Sequence, residues 1–131
     1  MTRPRSITVV AWLFIVTGAA GLARDLWPWL APDMAASLAN LRADGGVDFW
    51  LASGTHALAI IGGAGALRGL NWARWLLAAW MVLHIYISLL HSAGEAVAHC
   101  LIFGVLAYLL FRKAAAPFFR RDAKPPNPRT A

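Results

Sequence analysis

The sequence predicts an all-α polytopic membrane protein: four transmembrane helices in an antiparallel bundle, with a short amphipathic helix on the extracytoplasmic side. Three observations predict it. Hydrophobic residues make up 60% of the 131 residues and charged residues only 14%, well below the ~25% charged that is usual in soluble domains. Four apolar runs reach the ~17–25 residues that a helix needs to cross hydrocarbon. Finally, the alternation those runs impose puts nearly all Lys and Arg on one side, as cytoplasmic flanks require.

The first run, 6–23 (SITVVAWLFIVTGAAGLA), carries no charge and follows Arg3 and Arg5. Basic residues ahead of an apolar stretch that ends in small residues also describe a secretory signal peptide. The run is longer than a signal core, however, and three more spans follow it. The second, 49–67, is opened by Asp48 in an N-cap position and closed by Arg68-Gly69, with His56 its one ionisable group. The third, 72–91, follows Asn71, a candidate N-cap, and the fourth, 95–111, ends at Arg112-Lys113. Ser92-Ala93-Gly94 is too short for anything but a turn, so these two helices are expected to pack antiparallel.

Between the first two spans lies an outer loop, 24–48. Pro32-Asp33 can start a helix in it, Gly45-Gly46 can end one, and Met34, Leu38 and Leu41 recur at helical spacing. The expected result is an amphipathic helix on the membrane surface, serving as ordinary loop packing or as a lid over an outward-facing site. Residues 1–113 form the membrane domain, and 114–131 a basic, Pro-rich cytoplasmic tail with a Phe118-Phe119 pair and four prolines. That composition predicts an interfacial anchor that fades into disorder.

Orientation follows from the basic residues. Arg3, Arg5, Arg68, Arg74, Arg112, Lys113, Arg120, Arg121, Lys124 and Arg129 fall on one side; Arg24 and Arg42 fall on the other, with Asp25, Asp33, Asp44, Asp48 and Glu95. Both termini are therefore expected in the cytoplasm. Trp27, Trp29 and Trp50 mark the outer interface, and Trp72 and Trp75 the inner one. The net charge of +6 is accounted for by these flanks, so the partner is the lipid bilayer and not a nucleic acid. A lone cysteine, Cys100, excludes an internal disulfide or a CxxC pair. Ala59/Gly63 and Gly62/Ala66 have the small-xxx-small spacing that lets helices approach closely, within one chain or between chains.

The ionisable groups of the spans sit toward one end. His56 on a descending helix and His84 on an ascending one both lie roughly 10 Å below the outer face at 1.5 Å per residue. His84 and His91 share a helical face, and Glu95 and His99 are one turn apart. Such groups are costly in hydrocarbon and often functional. Haem b held by His56 and His84 is one reading, a metal held by His91, Glu95 and His99 a second, and a quinone or proton-relay role for Glu95 and His99 near Tyr86 a third. The competing reading is structural: a wet rim at His91, Glu95 and His99, with His56 and His84 bonded inside the bundle. No nucleophile elbow, phosphate loop, dinucleotide fingerprint, HExxH or carboxylate pair is present, which leaves hydrolytic chemistry without residues. The inner half offers no polar pathway for transport.

The opening RPRSITVVAWLFIVTG and the turn GLNWARWLLAAW resemble small uncharacterised four-helix inner-membrane proteins of bacteria, loosely over Arg3 to Phe111. The resemblance implies a bacterial inner-membrane location and a four-span fold, and supplies no activity. Taken together, the expectation is a small multi-pass accessory or scaffolding subunit, working within a larger membrane complex or a homo-oligomer. The alternative is a redox or metal-binding membrane protein using the outer histidines.

Overall fold

A computed structural model of the chain describes residues 3–30, 34–43 and 46–119. Among these it is all-helical. The order is α1 (Arg5–Leu30), α2 (Met34–Ala43), α3 (Val47–Leu67), α4 (Asn71–His91), α5 (Ala93–Phe111) and the single turn α6 (Ala116–Phe119). Helices α1, α3, α4 and α5 are each long and apolar enough to cross a membrane.

Helix ends depart from the expected ones for local reasons. α1 runs on past Ala23 to Leu30, 26 residues in all, and includes Pro28. Proline there forfeits only the bond its N–H would give to the Arg24 carbonyl, close to the end of the helix. The extension carries Arg24 and Asp25 into the helix, where the sequence placed a loop. α3 starts after Gly46, which takes φ 76° at the N-cap, so Asp48 is not the cap. Its C-terminus closes as a Schellman motif: Gly69, at φ 79°, donates to Ala66 O, and Leu70 N–H reaches back to Gly65 O. Leu70, not Asn71, is the N-cap of α4. Between α4 and α5 the connection is one residue. Ser92 ends the former and caps the latter, accepting the Glu95 N–H at 3.1 Å in the Ser-x-x-Glu pattern of a capping box. Pro32, Asp33 and Gly45 lie outside the described residues, but α2 falls where they predicted a helix, with Met34 and Leu38 exposed.

The spanning helices pack in sequence around a ring: α1 on α3, α3 on α4, α4 on α5, and α5 back on α1. Ile7, Val10, Ala11 and Phe14 of α1 meet Ala59 and Ala66 of α3, Leu77 and Met81 of α4, and Phe103, Leu106 and Leu110 of α5 in one core. Large apolar side chains such as Trp12, Val16, Val82, Leu101 and Val105 stay exposed around the outside, as a lipid solvent permits. Apolar burial therefore contributes little to association, and close packing carries it. The closest packing is between α1 and α3. A Cβ on Gly18 would fall 2.8 Å from the His56 carbonyl oxygen, and one on Gly63 2.7 Å from that of Ala11.

One end of the ring is basic and aromatic. Arg3 donates to Leu67 O at 3.2 Å, and Arg112 donates to Ser6 Oγ at 2.7 Å. Of the tail, Ala115, Phe118 and Phe119 are buried there, so the Phe pair seals the bundle instead of anchoring in the interface. Phe118 covers Gly69, and the Arg74 guanidinium lies over Phe111 and Phe119 at 5.2 and 5.5 Å, within the range of cation–π attraction. Residues 120–131, the rest of the tail, lie outside the described residues.

Gly63→Ala is expected to destabilise the detergent-solubilised protein by about 1–3 kcal/mol, because backbone must move to admit the methyl. Gly104, with open space around it, is the control: Gly104→Ala should leave the thermal midpoint unchanged or raise it. Equal effects at the two positions would disprove close packing of α1 on α3.

Candidate functional site

At the other end of the ring the polar side chains converge, and the contact between α1 and α3 determines how. Gly21 has no side chain, and the His56 ring occupies the space where a Cβ would be, its Cδ2 and Nε2 lying against the glycine. One turn further along α1 is Asp25. His56 Nδ1–H donates to Asp25 Oδ2 at 2.7 Å, with the carboxylate side chain 8% and the imidazole 16% exposed. Ser53 Oγ donates to the same oxygen at 3.4 Å, and Arg24 lies 3.6 Å from Oδ1 with its own side chain 77% exposed. The strong element is the pair; Arg24 reaches outward and adds little through solvent.

His84, on α4, is held differently. Its ring stacks on Trp80 with centroids 4.6 Å apart at 16°, and Trp80 Nε1–H donates to Thr55 O of α3 at 2.7 Å. His99 of α5 meets His84 edge to face at 5.1 Å, and Phe103 packs against both. His99 Nδ1 lies 2.9 Å from both Ser88 Oγ and Glu95 O. A carbonyl only accepts, so Nδ1 carries the proton; Ser88 in turn donates to His84 O at 2.8 Å. His56 and His99 thus share a tautomer, Nδ1–H fixed by a partner and Nε2 left with its lone pair in the neutral ring.

Of the residues singled out in the sequence, His56 and His84 line one cleft of about 310 Å³ together with Arg24, Leu51, Ala52, Thr55 and Ile87. His84 also touches His99, making it the centre of the three. Glu95 meets His99 through its backbone carbonyl, and its side chain is exposed at the end of α5. The His91 side chain lies outside the described residues. Among those that are described, no group of three or more His, Cys, Asp or Glu could hold a metal ion. Tyr86 is exposed on the outside of α4.

No known protein family, curated protein or solved structure matches the chain. The site has therefore to be read from its own geometry. Asp25 is the residue that sequence reasoning missed. In the sequence it reads only as an outer-side charge, because the uncharged run ends at Ala23. The signal was the Gly21-x-x-x-Asp25 spacing, which puts a gap and a carboxylate on one helical face. Trp80 and Thr55 gave no signal, since a Trp in an apolar helix is unremarkable until its N–H finds a carbonyl.

Asp25→Ala should lower the unfolding free energy by about 1.5–3 kcal/mol, the range for a hydrogen bond to a charged group. In a double-mutant cycle with His56→Leu, the second change should cost little once the first is made. Additive losses would show that the two side chains act independently.

Proposed function

We propose that this chain is a small multi-pass protein of the bacterial inner membrane, an accessory or scaffolding subunit with no catalysis of its own. It is an antiparallel four-helix bundle with both termini in the cytoplasm and α2 on the outer surface. One observation carries this reading: each interface in the ring has its own polar tie. Asp25–His56 joins α1 to α3, Trp80 to Thr55 O joins α4 to α3, His99–Ser88 joins α5 to α4, and Arg112–Ser6 joins α5 to α1. Most of the costly polar groups are thus used to hold helices together, as expected where helix association in lipid relies on hydrogen bonds and close packing. Lys113 and the arginines at the end of Arg3 and Arg112 support the cytoplasmic placement of that end. The pairing of Ala11 with Gly63 and of Gly18 with Ala59 supports opposite directions for α1 and α3.

The test has two parts. In a Cys100→Ser background, Leu30→Cys should react with an impermeant maleimide in intact cells, and Lys113→Cys only after lysis; the reverse pattern would overturn the orientation. For the function, a reduced-minus-oxidised optical spectrum and metal analysis should find the purified protein colourless and metal-free. On native gels of solubilised membranes, it should run as a larger assembly that Gly63→Ala disperses. A haem band lost in both His56→Ala and His84→Ala would replace the accessory role with electron transfer.

A further inference from the structure

The polar ties leave one part of the outer end uncommitted. Asp25 occupies only Nδ1 of His56, and Trp80 covers a face of His84 without bonding its nitrogens. Among the described residues, His56 Nε2 and both ring nitrogens of His84 have no hydrogen-bond partner, yet none of them is sealed from contact. The sealed, unpartnered side-chain atoms among the described residues, Arg74 Nε and Arg112 Nε, are at the far end. Both imidazoles line the same cleft, whose remaining walls include Leu51, Ala52 and Ile87. A volume of about 310 Å³ is at the low end of the ~300–1,000 Å³ of small-molecule sites. It has room for one substituted six-membered ring.

The hydrogen-bonding character of the cleft narrows the ligand. With Nδ1–H given to Asp25, neutral His56 presents an acceptor at Nε2, while neutral His84 offers one donor and one acceptor. A lipid phosphodiester, which only accepts, would face the Nε2 lone pair, and the Arg24 guanidinium that lines the cleft is already paired with Asp25 at 3.6 Å. An oxidised quinone has the same fault, since its two carbonyl oxygens also only accept. A ring hydroxyl does not: its O–H can donate to Nε2 while an oxygen elsewhere on the ring accepts from His84. The cleft lies in the span, where an attached apolar tail would remain in lipid.

We propose that the His56–His84 cleft binds the ring of a lipid-soluble hydroquinone, in preference to its oxidised form. Asp25 is the positioning residue that sets the tautomer of His56. The proposal concerns binding alone, and it goes beyond the accessory role, which is tested by assembly and topology.

The experiment is a calorimetric titration of the full-length protein in mild detergent, under argon, with duroquinol and separately with duroquinone. Duroquinol should bind saturably, one per chain, and duroquinone about tenfold more weakly, the equivalent of one lost hydrogen bond. Ala52→Phe fills the cleft without removing any hydrogen-bonding side chain and should abolish binding; His84→Leu should weaken it by about tenfold. Val97→Ala, on the exposed face of α5, should bind as the parent does. Simple partitioning that persists in Ala52→Phe would overturn the proposal. So would equal binding of the two redox forms, or displacement of duroquinol by phosphatidylglycerol, which would assign the cleft to a lipid headgroup.

Discussion

Backbone contact between α1 and α3 fixes where the other parts of the bundle can go, because the distance at which these two helices meet is set by glycines and not by adaptable side chains. Gly18 and Gly63 bring each helix onto the other's carbonyl oxygens. At that separation the His56 ring lies over Gly21, and from there its Nδ1 reaches Asp25. A wider separation would break the bond between the carboxylate and the imidazole at the edge of hydrocarbon, a loss of about 1.5–3 kcal/mol for a hydrogen bond to a charged group. Close packing and the polar pair are thus one device.

The same logic extends around the ring. In water, apolar side chains would drive helices together; in lipid they have no such preference, and the exposed Val, Leu and Trp residues on the outside of this bundle are as well solvated there as in the core. Cohesion comes instead from close contact and from a few bonds between helices. Each of those bonds uses a group whose alternative partner is absent from hydrocarbon. Trp80 illustrates it: its N–H goes to Thr55 O, a carbonyl on the neighbouring helix, while its ring carries Phe14, His84 and Phe103 around it.

The two ends of the bundle are unlike. At the basic end arginines and aromatics form a closed cap, with Phe118 and Phe119 of α6 buried. At the opposite end the side chains are polar, and their bonds leave ring nitrogens over a cleft. Holding a histidine by one nitrogen and freeing the other is how a protein gives an imidazole a defined acceptor or donor. Structural tie and binding group are therefore compatible roles for His56.

Composition and spacing determined the helical class and the four long helices, because crossing hydrocarbon leaves a signature in run length and charge that depends on no tertiary contact. The break at Ser92 and the Arg68-Gly69 stop were legible for a related reason: each is decided within a few residues of chain, although the capping bond from Glu95 N–H to Ser92 Oγ was not read from the sequence. That His56 and His84 line one cleft could be anticipated only as a shared depth. Tertiary structure alone decided that Asp25 serves His56, that Trp80 bridges to Thr55, and that Phe118 and Phe119 seal the bundle. Those contacts depend on how each helix is rotated about its axis and how closely it approaches its neighbour. Hydrophobic periodicity reports rotation poorly when lipid and core are equally apolar, and so the identity of the partners waited on the packed structure.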